Sequence, residues 1–199
     1  MKELIAFLQT VYPLSPSLVE YLSNTVKIKE VKRKEYLLKA GTICRNVYFI
    51  NKGLLRCFYS KGDREISRWF MLDGDVIFSI SSFYEQKPGF ENIQALEDCH
   101  LYYISFSELE YIYNNFMEFN YIGRVLTIKY HQLWDEQLYG IQIKSAAERY
   151  QWLLTNHPHL VLRVPAKYLA SYLGITEVTL SRIKGSKEIG TYESMNGNT

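Results

Sequence analysis

The run Pro165-Ala166-Lys167-Tyr168-Leu169-Ala170-Ser171-Tyr172-Leu173-Gly174-Ile175-Thr176-Glu177-Val178-Thr179-Leu180-Ser181-Arg182-Ile183 has the spacing of two short helices joined by a tight turn, the helix-turn-helix. In such a unit the first helix needs a small residue where the second crosses it, and Ala170 supplies one. Four residues later the turn needs a residue tolerant of positive φ, and Gly174 supplies that. Leu169, Leu173, Ile175, Leu180 and Ile183 form the shared apolar seam. Glu177, Val178, Thr179, Ser181, Arg182 and Lys184 are left at the start or on the outer face of the second helix. An arginine on that face can grip O6 and N7 of a guanine with two hydrogen bonds, worth roughly 1–3 kcal/mol of discrimination. The competing reading of the same run is an ordinary helical hairpin packed in a core.

The rest of the chain is consistent with a globular protein carrying such a unit. Its 199 residues suffice for one large domain or two small ones. Hydrophobic residues make up 47% and charged ones 22%, which argues against disorder, and no apolar stretch approaches the roughly 18 residues of a membrane-spanning helix. No membrane partner is expected. The patch Leu4-Ile5-Ala6-Phe7-Leu8 reads as a buried helix rather than a leader, because no small-residue cleavage site follows it. Cys44, Cys57 and Cys99 are scattered and lack CxxC spacing, which suits reduced packing thiols in a cytoplasm and neither a disulfide framework nor a metal cage. Net charge is +2 and unevenly placed: residues 1–143 hold 16 basic against 17 acidic residues, and residues 144–199 hold 7 against 4. The basic excess lies with the helix-turn-helix, where phosphate neutralisation would use it.

Working outward, residues 1–24 read as short helices, with Ser15 as N-cap and Pro16 in the first turn of the second. From Lys27 to Ile104 the period changes to short β runs over 28–31, 36–38, 47–50, 54–59, 66–70, 93–96 and 101–104. Turn signals separate them at Lys39-Ala40-Gly41, Asn51-Lys52-Gly53, Lys61-Gly62-Asp63 and Asp73-Gly74-Asp75. Many short strands at regular spacing mean a sandwich or barrel. Helical period returns after Ser105, with Ser105 and Ser107 as cap candidates. A longer helix follows from about Phe119 to Gln142, with Ile122, Leu126, Tyr130 or Lys129, Leu133, Gln137 and Ile141 along one stripe. That stripe either packs on a twin helix in a dimer or covers the β domain. The polar tail, rich in Gly, Ser and Asn, is expected to be poorly ordered.

A β-rich domain, a long helix and a C-terminal helix-turn-helix, in that order, resemble the cyclic-AMP receptor and FNR (Crp/Fnr) superfamily of bacterial transcription regulators. The residues that carry the likeness are Gly53, the Gly74-Asp75-Val76-Ile77 turn, Ala95-Leu96-Glu97-Asp98 leading into Tyr103-Ile104-Ser105, and the segment from Ala170 to Arg182. Ala146-Ala147-Glu148-Arg149-Tyr150 and the string from Val164 to Thr176 look like the branch common in Bacteroidetes. The resemblance implies an α+β chain: a double-stranded β-helix (a cyclic-nucleotide-binding-like jelly roll) with N-terminal helices over 1–116, a dimerisation helix over 117–143, the helix-turn-helix over 144–188, and a flexible tail over 189–199. It also implies a non-enzymatic, cytoplasmic homodimer that binds double-stranded DNA, contacts RNA polymerase and takes a small-molecule effector.

The family's cyclic-nucleotide cassette is where this chain departs. Counted without gaps from Gly74-Asp75, the acidic, arginine and small hydroxyl positions hold Ser79, Gly89 and Phe90. Without the arginine a cyclic phosphate lacks its charge-assisted partner, a loss of roughly 1.5–3 kcal/mol per bond. The helix face that would meet the base carries Tyr130 and Trp134, which suggests a filled pocket. An unidentified effector would meet Phe78, Ser79, Ile80, Ser81, Gly89, Phe90, Tyr130 and Trp134. Ser79, Ser81 and Ser82 begin a short helix whose free N–H groups could hold an anion. Trp69, Phe83 and Phe90 either line a slot for a flat molecule or belong to the core.

No cofactor is expected. An iron–sulfur sensor of this family needs about four thiolates near the N-terminus, and no cysteine precedes Cys44. His100 and His131 are single candidates for a haem ligand without a supporting partner. His157-Pro158-His159 reads as a turn, not a metal site. On the DNA face, members reading a TTGA-type half-site carry a glutamate, a serine and an arginine. Here Ser181 and Arg182 match and Val178 replaces the glutamate, so specificity has shifted and a thymine methyl comes into reach. No β-hairpin wing is legible after the second helix, which leaves backbone anchoring to Arg163, Lys167, Thr176, Thr179, Lys184 and Lys187. The alternative function is a ligand-binding or protein-interaction module in which the helix-turn-helix no longer reads DNA.

Overall fold

A computed structural model describes residues 1–186, so Lys187 and the tail expected over 189–199 lie outside the described residues. The chain divides into two compact units. The first holds Met1–Arg64 and Arg68–His131, and the second holds Glu65–Ser67 and the described residues from Gln132 onward.

In the first unit, α1 (Lys2–Val11) buries Leu4 and Leu8, and α2 (Pro16–Thr25) buries Leu18 and Leu22. Ser15 caps α2, its hydroxyl accepting from the Leu18 N–H at 3.2 Å. Pro16 takes the first helical position, where a missing N–H costs nothing. The strands are β1 (Lys27–Val31), β2 (Tyr36–Leu38), β3 (Asn46–Lys52), β4 (Leu55–Lys61), β5 (Arg64–Met71), β6 (Val76–Ile77), β7 (Asn92–Ala95) and β8 (Cys99–Ser105). They make two four-stranded sheets, ordered β1-β8-β3-β6 and β2-β7-β4-β5. The pairs β1–β8, β3–β8, β3–β6, β2–β7 and β4–β7 run antiparallel.

Alternation along the strands explains why two sheets close on one core. Tyr48 and Ile50 of β3 and Leu101 of β8 meet Leu55 and Cys57 of β4 and Ile93 and Ala95 of β7 between the sheets. Phe49 and Tyr102, on the opposite face, turn onto Leu4, Leu8, Leu18 and Leu22 of the helices. Burying each such side chain stabilises by about 1.5–3 kcal/mol, so both faces of the β3–β8 sheet are committed. Gly53 closes the β3–β4 turn at φ +124°, and a Cβ there would lie 2.5 Å from Cys99 Sγ and 2.9 Å from its Cα. Only glycine satisfies both the backbone and the contact.

The expected strands recur with shifted ends: Leu54 and Leu96 fall just outside β4 and β7, and β6 was not foreseen. α3 (Ile80–Glu85) follows β6, and α4 (Phe106–Asn115) follows β8. Ser105 opens α4 with a capping box against Glu108, whereas Ser107 bonds Ser105 Oγ at 3.2 Å and caps nothing. The long helix α5 (Met117–Ile143) starts two residues before the expected Phe119. Ile122 is fully buried and Leu126 packs beside it in the helical core, so this part of the expected stripe covers its own unit. Tyr121 and Ile128, on the other side of α5, are exposed.

The second unit continues with α6 (Ala146–Asn156), α7 (Pro158–Arg163), α8 (Ala166–Tyr172) and α9 (Glu177–Gly185). Ser145 and Glu148 form a second capping box at the start of α6. His157 caps the junction of α6 and α7, with Pro158 opening α7. Among the described residues no helix is long and apolar enough to cross a membrane.

Candidate functional site

Two regions carry the residues singled out from the sequence, one in each unit. In the first, the chain leaves β6 through Phe78 and Ser79 and turns into α3. Ser79 is fully buried, and its N–H donates weakly to Cys44 Sγ at 3.5 Å. Its hydroxyl neither caps α3 nor finds any hydrogen-bond partner. Ser82 Oγ is already committed, accepting from the Cys44 N–H at 2.9 Å and donating to the Lys87 carbonyl at 2.5 Å. Gly89 packs straight onto this turn: a Cβ there would lie 2.8 Å from Ser82 Cβ and 3.3 Å from Ser79 Oγ. Its backbone pairs with Gly41 and Thr42. The space expected to hold an anion at α3 is thus filled by the protein's own backbone, and α3 has only six residues.

The other expected effector residues do not converge. Phe78 and Phe83 pack edge to face at 5.1 Å, and Phe83 is core, not slot. Ile80, Ser81 and Phe90 point to solvent; Phe90 is 64% exposed, with its ring 5.4 Å from Tyr59. Trp69 packs against the core between the sheets. Tyr130 reaches β6, where its hydroxyl accepts from the Val76 N–H at 2.8 Å and donates to Asp75 Oδ1 at 3.5 Å. Burial, then the Asp75 charge, pushes the Tyr130 hydroxyl far above the ordinary tyrosine range, so it stays protonated. Trp134 belongs to the second unit.

One pair of charges in the β-roll escaped sequence reasoning. Arg68 Nε lies 3.9 Å from the carboxylate of the buried Glu91, and the guanidinium sits 5.3 Å from the Tyr59 ring centroid. Arg68 lies in β5 and Glu91 just before β7, so no local pattern announced the pair. A phosphate entering beside Gly89 and Phe90 would meet the neighbouring Glu91 carboxylate with no guanidinium at position 89, and these residues do not fit a cyclic nucleotide.

In the second unit, α8 and α9 are joined by a turn whose chemistry is fully local. The Ile175 N–H donates to the Ala170 carbonyl at 3.0 Å and the Gly174 N–H to the Ser171 carbonyl at 3.2 Å, a Schellman ending with Gly174 at φ +69°. Leu169, Ala170, Leu173 and Leu180 are buried where the helices meet, while Ile175 and Ile183 are half-buried. Thr176 caps α9, its hydroxyl accepting from the Thr179 N–H at 3.1 Å and meeting Thr179 Oγ1 at 2.9 Å. Those two hydroxyls therefore serve the cap first. Lys167, Thr176, Glu177, Val178, Ser181, Arg182 and Lys184 are exposed, and Thr179 is half-buried. Val178, Ser181 and Arg182 follow the i, i+3, i+4 spacing of one helix face.

Arg149 locks the frame behind this surface: its Nε donates to the Leu173 carbonyl at 3.0 Å and its Nη1 to the Lys144 carbonyl at 2.6 Å. It borders a shallow, solvent-open cleft lined by Ile141, Trp152, Leu153 and Tyr172 together with Glu136 and Lys144. Nothing in the local sequence of Arg149 marks it as a clamp, because its acceptors are carbonyls at helix ends. Among the described residues no group of His, Cys, Asp and Glu could hold a metal ion.

Residues 28–116 match the cyclic nucleotide-binding domain family. No curated protein matches the chain in sequence. Among solved structures, FixK2 from Bradyrhizobium japonicum is similar with TM-score 0.70 and 18% identity, over 81% of this chain and 83% of that one. A Crp/Fnr-family protein from Eubacterium rectale has TM-score 0.69 and 19% identity, over 85% and 82%. CooA from Carboxydothermus hydrogenoformans, as a mutant, has TM-score 0.68 and 18% identity, over 90% and 82%. At such identities the likeness is one of fold.

Proposed function

We propose that this chain, which carries a cyclic nucleotide-binding domain on the fold of Crp/Fnr regulators, is a homodimeric, sequence-specific DNA-binding transcription regulator. The observation that carries the reading is the exposed face of α9, with Val178, Ser181 and Arg182 in line on a helix whose cap, turn and seam are otherwise fully engaged. A helix held that firmly, with its polar face left to solvent, is suited to the major groove. Arg182 grips a guanine; Lys167, Thr176, Lys184 and Lys187 contact phosphates, with Glu177 and Thr179 at the rim.

Two copies pair through α5, where Tyr121, Ile128, Leu138 and Tyr139 leave apolar surface exposed. A two-fold pair sets two recognition helices about one duplex turn, roughly 34 Å, apart on a pseudo-palindrome. The functional segments are 1–116 for sensing, 117–143 for dimerisation and 144–188 for DNA, with the joint near Gly140–Ser145 as hinge. The effector is not a cyclic nucleotide: Gly89, Phe90 and Glu91 stand where a phosphate requires an arginine, and Tyr130 of α5 bonds the β6 backbone at Val76. A different small molecule, RNA polymerase and a cytoplasmic setting complete the reading.

Arg182→Ala abolishes sequence preference in a gel shift against genomic fragments while leaving the fold intact, since Arg182 is exposed. Unchanged preference refutes the role of Arg182. A wild-type protein without salt-dependent affinity for duplexes favours a ligand-binding or protein-interaction module instead.

A further inference from the structure

We propose that Val178 reads the C5-methyl group of a thymine lying within about two base pairs of the guanine held by Arg182; this rests on α9 being the helix that enters the groove. Every other leucine, isoleucine or valine of α8 and α9 is buried or half-buried, whereas Val178 is 62% exposed. Folding gives it no task. A β-branched residue in a helix even costs a little relative to alanine.

Its neighbours on the same face, Ser181 and Arg182, are polar, so Val178 does not extend an apolar interface. On the floor of the major groove the apolar feature is the thymine methyl, and a side chain with no donor or acceptor can read nothing else there. The χ1 of valine is strongly restricted in a helix, so its two methyls are presented in a fixed direction. From Val178 to Arg182 is one turn, about 6 Å along the axis, which spans at most two base steps of about 3.4 Å. Specificity at that base pair is therefore a matter of a methyl and not of a hydrogen bond.

The test uses the full chain and a duplex that it selects from a random library. Each thymine of the selected half-site is replaced singly by deoxyuridine, which removes the methyl and nothing else. The proposal expects one position, within two base pairs of the guanine whose contact Arg182→Ala removes, at which the replacement weakens wild-type binding about fourfold. Val178→Ala is insensitive to the same replacement, and Val178→Thr, which keeps a methyl, stays sensitive. Wild-type binding indifferent to deoxyuridine at every position, or an equal loss in Val178→Ala, overturns the inference while leaving DNA reading by α9 standing. A wild-type chain that enriches no duplex overturns both.

Discussion

Tyr130 ties the long helix to the β6 strand through a single hydroxyl. Its hydroxyl accepts the Val76 N–H, so Tyr130→Phe leaves a partly buried backbone donor without this partner and should lower stability by about 1 kcal/mol in urea unfolding at neutral pH. Burial, followed by Asp75, raises this hydroxyl's pKa in the folded state. Its contribution is therefore fully present below the ordinary tyrosine value of about 10 and lost as pH climbs through the raised one. Tyr130→Phe accordingly loses less stability than wild type between neutral and strongly alkaline pH, and equal losses in the two proteins would contradict this. The thiols obey the same physics: burial pushes Cys44 and Cys57 up and Cys99 to about 11. With all three buried as well, none should react with a disulfide reagent near pH 8 until the chain unfolds.

Among elements, α5 and the α8–α9 turn define the working parts. Ile128 is 47% exposed on the face of α5 away from Ile122. Ile128→Asp should convert a dimer to a monomer in sedimentation velocity with little change in unfolding midpoint; a persistent dimer would move the interface elsewhere. At the turn, a Cβ on Gly174 meets nothing within 4 Å, so Gly174→Ala suffers only the left-handed backbone, about 1–2 kcal/mol in thermal unfolding. Elements of this kind were readable from the chain because their signals are local. Gly174, Ala170, the Ser15-Pro16 entry to α2 and the Ser105 cap each act within one turn of their own helix. β6 spans two residues, too short for any period to show. The stripe through Ile122, Leu126 and Tyr130 was visible, yet periodicity names a face without naming what covers it. The Arg68–Glu91 pair, the bond from Arg149 to the Leu173 carbonyl and the contact that brings Gly89 against Ser79 and Ser82 each depend on partners distant in sequence or on a loop no local pattern describes.

For the molecule as a whole, the basic excess beyond residue 143 sits with the helices proposed to meet DNA. Each phosphate neutralised releases counterions, so affinity should fall steeply with salt, with a log–log slope of roughly −0.9 per phosphate contact. Lys167→Ala should reduce that slope by about 1 while weakening all duplexes alike, unlike the sequence-selective loss in Arg182→Ala. Cyclic AMP should change neither value, since residues 89–91 give its phosphate no cationic partner. Sequencing the duplexes that the wild-type chain retains from a random library tests the central claim most directly. A regulator that presents α9 twice recovers an inverted repeat whose half-sites are centred roughly 34 Å apart. A retained pool that stays random even at low salt contradicts it.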